Sequence, residues 1–424
     1  MELQLKNIGM ITEANVKIDG LTVIAGENDT GKSTVGKVLF CTIKSSAMSD
    51  GRFFYTNRAK YINKLFSSLK NFISISSSNS IQYSQLASKV NDIKDEVNHI
   101  LRKKTDKEQY LQILDKLKND NSLNTLPLFD EIYEKLANAI EEDFKNEFTA
   151  NNFNTIMSYA FANDFFSHYQ ERQNLTVTLK NEIKNQQLKF ILNETENKFI
   201  GNKIFDDVLY IDTPVIFQLI KLLNDTALND KEYMPTIKDL KQKLLDLPQK
   251  VEVWEQEEIQ QVAKHIREII GGDIENKGTD IVYTKPNSSQ SIKIENTATG
   301  IKSFGLILLL LKQGYIHNQM VLILDEPEVH LHPKWQIKMA EVIIMLVKFG
   351  VKIIVNSHSP YLIDALKYYA DKDKVHNNFY LAEKSEYGTS SISDVTMDIS
   401  PIFEKLTEPL ERLHRMKLGL PDEN

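Results

Sequence analysis

One short run, Gly26-Glu-Asn-Asp-Thr-Gly31-Lys32-Ser33, constrains this chain more than any other. Immediately before it, Leu21-Thr-Val-Ile-Ala25 is apolar and β-branched, the texture of a parallel strand buried on both faces. Immediately after it, Val35, Val38 and Leu39 return with helical spacing. A strand, a glycine-bounded turn ending in Lys-Ser and a helix start, in that order, form a phosphate-binding loop. Glycines let the backbone curl so that its N–H groups face phosphate oxygens, and the helix N-terminus adds positive potential. The spacing assigns the cradle to Gly26, Glu27, Asn28, Asp29, Thr30, Gly31, Lys32, Ser33 and Thr34. Lys32 is expected on the β/γ-phosphate oxygens and Ser33 on Mg²⁺.

The chain has 424 residues, room for more than one domain at about 150 residues each. Its apolar share of 42% and charged share of 26% are those of a globular protein, which excludes a fibrous or largely disordered chain. The net charge of -7 argues against a wholesale nucleic-acid coat, though not against a local basic groove. The single cysteine, Cys41, allows no intramolecular disulfide and fits a reducing compartment. It follows the apolar stretch Val38–Phe40 and reads as a small buried apolar residue. Met1–Gly9 lacks the continuous apolar segment of a secretory signal. The longest apolar run, Phe304–Leu311, falls far short of the ~20 residues that cross a bilayer. The expectation is a cytoplasmic protein without membrane contact.

Texture divides the chain. Residues 41–205 are poor in proline and glycine and rich in Lys, Glu, Asn and Gln. Helical faces stand out at Leu111, Leu114 and Leu117 and at Ile132, Leu136 and Ile140. We expect a helical insertion there, with a loose link at 73–80. The flanking parts, 1–40 and 206–424, alternate strands with helices, which implies an α/β head with a mostly parallel sheet. Within the insertion, residues 51–110 carry eleven Lys and Arg against five acids, a net of +6. That excess is either a solvated helix face or a surface for duplex DNA or an acidic partner.

Two further motifs join the phosphate loop. Val321-Leu-Ile-Leu-Asp325-Glu326 is an apolar strand ending in two acids, and the C-terminal edge of parallel strands is where α/β sheets bind ligands. Asp325 is expected to hold Mg²⁺ and Glu326 to polarise an attacking water. Asn356-Ser-His358-Ser-Pro360 follows a third β run, in register for His358 to reach a γ-phosphate.

These spacings resemble the ABC-type ATPase heads shared by SMC, RecF and OLD proteins, over residues 1–40 and 208–400. The stretch Asp325-Glu-Pro-Glu-Val-His-Leu-His-Pro333 looks like the OLD/RecF-like group rather than ABC transporters. The resemblance implies an ABC-type P-loop fold that hydrolyses ATP with Mg²⁺ and forms a homodimer or higher homo-oligomer around the nucleotide. Thr297-Ala-Thr-Gly300 would stand for the signature loop, with Thr299, Gly300 and Lys302 near a γ-phosphate on the facing chain. It departs from the usual Ser-Gly-Gly, and no glutamine-loop residue can be assigned. OLD nucleases carry a further TOPRIM domain. Only 66 residues follow His358, too few for it, and the acidic pair Asp371 and Asp373 sits in a charged stretch. The chain looks like an OLD-type ATPase without its nuclease, similar to the ATPase subunits of bacterial anti-phage systems such as PARIS and Septu. Such subunits act with a separate effector. The alternative is an ATPase that clamps DNA in repair or chromosome maintenance.

Overall fold

The computed structural model describes residues 1–48, 51–76, 80–102, 107–120, 123, 128–139, 142–167, 169, 174–193, 195–212, 214, 216–225, 234–246, 251–278, 280–286, 288 and 290–418. It divides into two compact units, Met1–Lys44 with Phe153–Asn424, and Ser45–Asn152.

In the first unit, β1 (Glu2–Ile8), β2 (Ile11–Lys17) and β3 (Leu21–Ala25) lead into α1 (Lys32–Met48). The second unit holds α2 (Gly51–Ser76), α3 (Ser80–Arg102), α4 (Lys107–Lys118) and α5 (Phe129–Asn138), and α6 (Glu142–Ala160) leaves it. Then follow β4 (Leu175–Asn181), β5 (Gln186–Leu192), β6 (Asn197–Gly201) and β7 (Asp207–Ile211). Helices α7 (Ile216–Asp225), α8 (Pro235–Leu245), α9 (Val251–Trp254) and α10 (Glu257–Ile270) precede β8 (Asp273–Lys277), β9 (Asp280–Thr284) and β10 (Ser291–Lys293). The chain ends with α11 (Thr299–Lys312), β11 (Met320–Asp325), α12 (Pro333–Lys348), β12 (Lys352–Ser357), α13 (Pro360–Lys372), β13 (Asn377–Lys384), β14 (Ser390–Asp394) and α14 (Ser400–Lys417).

Eleven strands make one sheet in the order β6-β5-β4-β1-β2-β14-β13-β3-β12-β11-β7. Strands β13, β3, β12, β11 and β7 run parallel to one another. Every residue of β3 and β11 is buried, so these strands read as unbroken apolar runs. In the other wing β2, β1, β4, β5 and β6 are antiparallel, and β2 and β5 largely bury alternate residues, as strands with one wet face do. The fold is therefore α/β with a parallel core, as expected. The eight-residue apolar run became the buried body of α11, because helices packed on a sheet need no polar face there. Cys41 is buried in α1.

Two expectations need correction. The stretch 41–205 is not helical throughout. β4, β5 and β6 pair into the large sheet through β1, because Leu175, Val177 and Leu179, then Leu188, Phe190 and Leu192, alternate at the period of a strand. Residues 153–205 thus belong with the sheet. The expected loose link at 73–80 is helix up to Ser76, with Ile73 in the core of the helical unit. Residues 77–79 lie outside the described residues. That unit has its own apolar centre, including Ile62, Phe66, Val90, Leu114 and Leu136.

Candidate functional site

Strand order decides what meets what. β12 lies between β3 and β11, with Ser357 paired to Ala25 and Asn356 paired to Asp325. The C-terminal ends of three adjacent parallel strands therefore present the phosphate loop, the Asp325-Glu326 pair and the His358 turn side by side. The sequence motifs, up to 332 residues apart, converge here.

The loop leaves β3 through Gly26, whose φ is +154° and whose missing Cβ would lie 2.3 Å from the Ala382 carbonyl oxygen on β13. Thr30 Oγ1 donates to the Glu27 carbonyl at 2.8 Å. Ser390 Oγ donates to the Thr30 carbonyl, and Lys384 pairs with Asp29, so the turn between β13 and β14 braces the loop. Asn28 and Glu27 are exposed at its tip, and Gly31 and Thr34 are half-buried at the start of α1. Lys32 is 4% exposed, and its ammonium donates back to the carbonyls of Gly26 and Glu27. Burial lowers its pKa, against the opposing pull of Glu326, Asp325, Glu328 and Glu27.

Asp325 accepts three hydrogen bonds. Its Oδ1 accepts from Ser33 Oγ at 3.0 Å and from Asn356 Nδ2 at 2.9 Å. Its Oδ2 accepts from the Tyr210 hydroxyl at 2.5 Å. Burial, then Asp325 itself, pushes the Tyr210 hydroxyl pKa far up, so it remains a donor. Ser33 and Asp325 form a pair of hard oxygen donors, and among the described residues no cluster of three or more His, Cys, Asp or Glu gathers. Such a pair suits Mg²⁺, which binds through one or two protein oxygens and completes its shell with phosphate and water.

Glu326 sits at φ +52°, a conformation uncommon for a residue with a side chain, and its N–H donates to the Asn356 carbonyl at 2.9 Å. Left-handed backbone of this kind clusters at functional sites. His358 Nδ1 stands 3.3 Å from Glu326 Oε1, within ion-pair distance though without hydrogen-bond geometry. Both side chains stay partly open, 31% for Glu326 and 41% for His358.

Thr299 and Gly300 open α11. A Cβ on Gly300 would fall 2.6 Å from the Trp335 ring at the start of α12, and Trp335 also packs edge-on against Phe304. Among the described residues no hydrogen bond joins Thr299 or Gly300 to the phosphate loop. Lys302 is buried. Asp371 and Asp373 bond to Lys367 and Lys348 as ordinary surface pairs. Of the basic segment, Arg58 is 9% exposed and stacks on Phe54 and Tyr55, while Lys89 pairs with Asp120. Lys103 and Lys104, and the side chains of Arg52, Arg102 and Lys107, lie outside the described residues. Sequence reasoning assigned no role to Tyr210, Asn356 or Glu328. The available signals were the place of Tyr210 and Asn356 at the ends of β runs and of Glu328 inside the Asp325–Pro333 motif.

A family model described as an AAA ATPase domain matches residues 1–363. The chain belongs to the AAA ATPase domain family. As a member of that family it is an ATPase, and the phosphate loop and the Asp325-Glu326 strand lie inside the matched span. Among solved structures it is similar to the SMC head domain from Thermotoga maritima, at 12% identity and a TM-score of 0.42, covering 93% of this chain and 98% of that one. It is also similar to an SmcHead bound to the C-winged helix domain of ScpA, at 11% identity and a TM-score of 0.45, covering 94% and 98%. Comparison with curated proteins gave no match. Among the described residues of this AAA ATPase no helix is long and apolar enough to cross a membrane.

Proposed function

We propose that this ATPase hydrolyses ATP at the ends of β3, β12 and β11, closes as a dimer around the nucleotide, and acts as a sensor or scaffold controlling a separate effector, a nuclease in the simplest case. The observation that carries the catalytic part is the convergence of Lys32, Ser33, Asp325, Glu326 and His358 on one sheet edge. Lys32 would exchange the carbonyls of Gly26 and Glu27 for β/γ-phosphate oxygens, with backbone N–H groups of Glu27–Thr34 around them. Ser33 and Asp325 would hold Mg²⁺, whose charge offsets that of the phosphates. Glu326 would accept a proton from the attacking water, and His358 beside it would contact the γ-phosphate.

Lys32→Ala should reduce phosphate release about 10²- to 10³-fold, the range for losing one charge-stabilising contact. Glu326→Gln should bind ATP and not turn it over. Wild-type turnover in Lys32→Ala would discard the assignment.

The dimer rests on the start of α11, whose N-terminal N–H groups suit a phosphate of a second copy. Thr299→Asp tests this cleanly, because an acid in a helix's first turn favours the helix while repelling phosphate. ATP-dependent dimers of Glu326→Gln, read by light scattering, should disappear when Thr299→Asp is added. Persistence of the dimer would reject the interface. The effector role draws on the OLD-like Asp325–Pro333 motif and on the separate helical unit Ser45–Asn152 as a partner surface. We place the chain in bacterial anti-phage defence. A nuclease or toxin encoded beside it and co-purifying with it would support this. Salt-sensitive duplex DNA binding without such a partner would favour the DNA-clamp reading.

A further inference from the structure

Glu328, two residues beyond Glu326, is an acid of this edge to which the proposed hydrolysis gives no task. It is 4% exposed, a costly place for a carboxylate. Its Oε1 accepts three bonds: from Ser357 Oγ at 2.6 Å, from the His358 N–H at 3.0 Å and from the Ser359 N–H at 3.2 Å. All three donors belong to the turn that leaves β12. The same oxygen lies 3.7 Å from His358 Nδ1. Its Oε2 is buried and has no hydrogen-bond partner among the described residues. Ser359 Oγ donates onward to Gln336 Oε1 at 2.6 Å, and Gln336 Nε2 to the Leu331 carbonyl at 2.9 Å, which ties the turn to the start of α12.

We infer that Glu328 is the positioning residue for His358: one carboxylate oxygen gathers the donors of residues 357, 358 and 359 and so fixes the turn that presents the imidazole to Glu326. The inference rests on the proposed γ-phosphate role of His358. His358 Nδ1 makes no hydrogen bond among the described residues, so the ring is aimed by the turn together with the Glu326 and Glu328 carboxylates beside it. A side chain kept only to fill space would do so at lower cost as an apolar group. The acid comes from the same segment as Glu326, so the strand end that supplies the base also sets its neighbour.

The test compares ATP hydrolysis by the full chain carrying Glu328→Ala, Glu328→Gln, His358→Ala and the double change Glu328→Ala/His358→Ala. Glutamine keeps an acceptor oxygen where Oε1 stands, so Glu328→Gln should stay within about threefold of the wild-type kcat. Glu328→Ala should lose about 10- to 100-fold in kcat, as loss of an orienting partner does, with the KM for ATP little changed. Because Glu328 acts through His358, the double variant should be no slower than His358→Ala alone. Additive losses, or a Glu328→Ala enzyme at the wild-type rate while His358→Ala is slow, overturn the inference and leave the role of His358 standing. His358→Ala at the wild-type rate overturns both. If Glu328→Ala fails to fold in a thermal scan, Ser357→Ala replaces it: a threefold or larger loss, at about the strength of one charge-assisted bond, should vanish in the His358→Ala background. An equal loss in both backgrounds rejects the inference.

Discussion

In the sheet-bearing unit, Lys44 and Lys243 face Asp207 and Asp239. Lys44 pairs with both acids, while Lys243 lies 2.7 Å from Asp207 and 2.8 Å from Asp239 and donates to the Val208 carbonyl. Lys243 and Asp239 are only 5% and 9% exposed. In the helical unit the charges pair differently. Lys116 meets Glu96 with both side chains about half in water, and the apolar centre is left to residues such as Ile62, Phe66 and Leu114, the buried Arg58 being held against the Phe54 and Tyr55 rings. The difference teaches where each unit has committed its geometry. A largely buried, shared set tolerates a missing member poorly, whereas surface pairs are interchangeable decoration on an amphipathic core.

The comparison can be broken most forcefully at Asp239. Asp239→Ala leaves the buried Lys243 and the partly buried Lys44 on one acid and should cost about 3–5 kcal/mol, read by urea unfolding. Replacing Asp239 and Lys243 together by Leu and Met should restore much of the loss. If the single change costs no more than a surface pair, the two units do not differ as argued.

Acid and alkali probe the same set from both sides. Burial would raise the Asp207 carboxyl's pKa, but Lys243 and Lys44 outweigh it and hold it well below the usual range. Its contribution is then full above about pH 4, the ordinary aspartate value, and is lost as pH falls through the lower folded value. For Lys44 burial pulls downward, and Asp239 with Asp207 outweigh it and raise its pKa. Its contribution is full below about pH 10 and is lost as pH rises through the higher folded value. Thermal stability of the sheet-bearing unit should therefore stay level between those limits and fall outside them. In Asp239→Ala the alkaline fall should be smaller and complete at lower pH, because the folded value of Lys44 drops while the onset stays at the ordinary lysine value.

Gly300→Ala should cost about 1–3 kcal/mol through its 2.6 Å clash with Trp335, measured by thermal unfolding. Trp335→Leu should relieve part of it. The smallest effect belongs to Lys116→Ala, expected within about 0.5 kcal/mol of wild type by the same scan. A loss several times larger would show that the helical unit also depends on fixed ion pairs.

Burial on both faces made the parallel core legible: Leu21–Ala25, Met320–Asp325 and Lys352–Ser357 could hardly be anything else. The strands β4–β6 were hidden, because Lys180, Asn181, Glu182, Lys184 and Asn185 give the hairpin between β4 and β5 the polar texture of the helices before it. The site divided likewise. Lys32, Ser33, Asp325, Glu326 and His358 belong to local motifs, each carrying its chemistry within a few residues. Tyr210 and Asn356 act through pairing across strands: Ile211 opposite Leu324, Asn356 opposite Asp325. No spacing within one segment encodes that register. Glu328 was visible as a letter in a motif, but its meaning lies in three donors about thirty residues away.

Gly26 has two masters. Phosphate recognition asks for a backbone that can approach an anion closely, and β13 asks for a residue without a Cβ, since one would press into the Ala382 carbonyl at 2.3 Å. The second demand stays in force whether or not nucleotide ever arrives. A descendant of this chain that gave up hydrolysis could shed Lys32 and Glu326 freely, yet would keep the glycine to preserve its sheet. Gly26 would then be a fossil of architecture rather than a sign of activity, and judging whether such a descendant is alive as an enzyme means looking at Lys32 and Glu326.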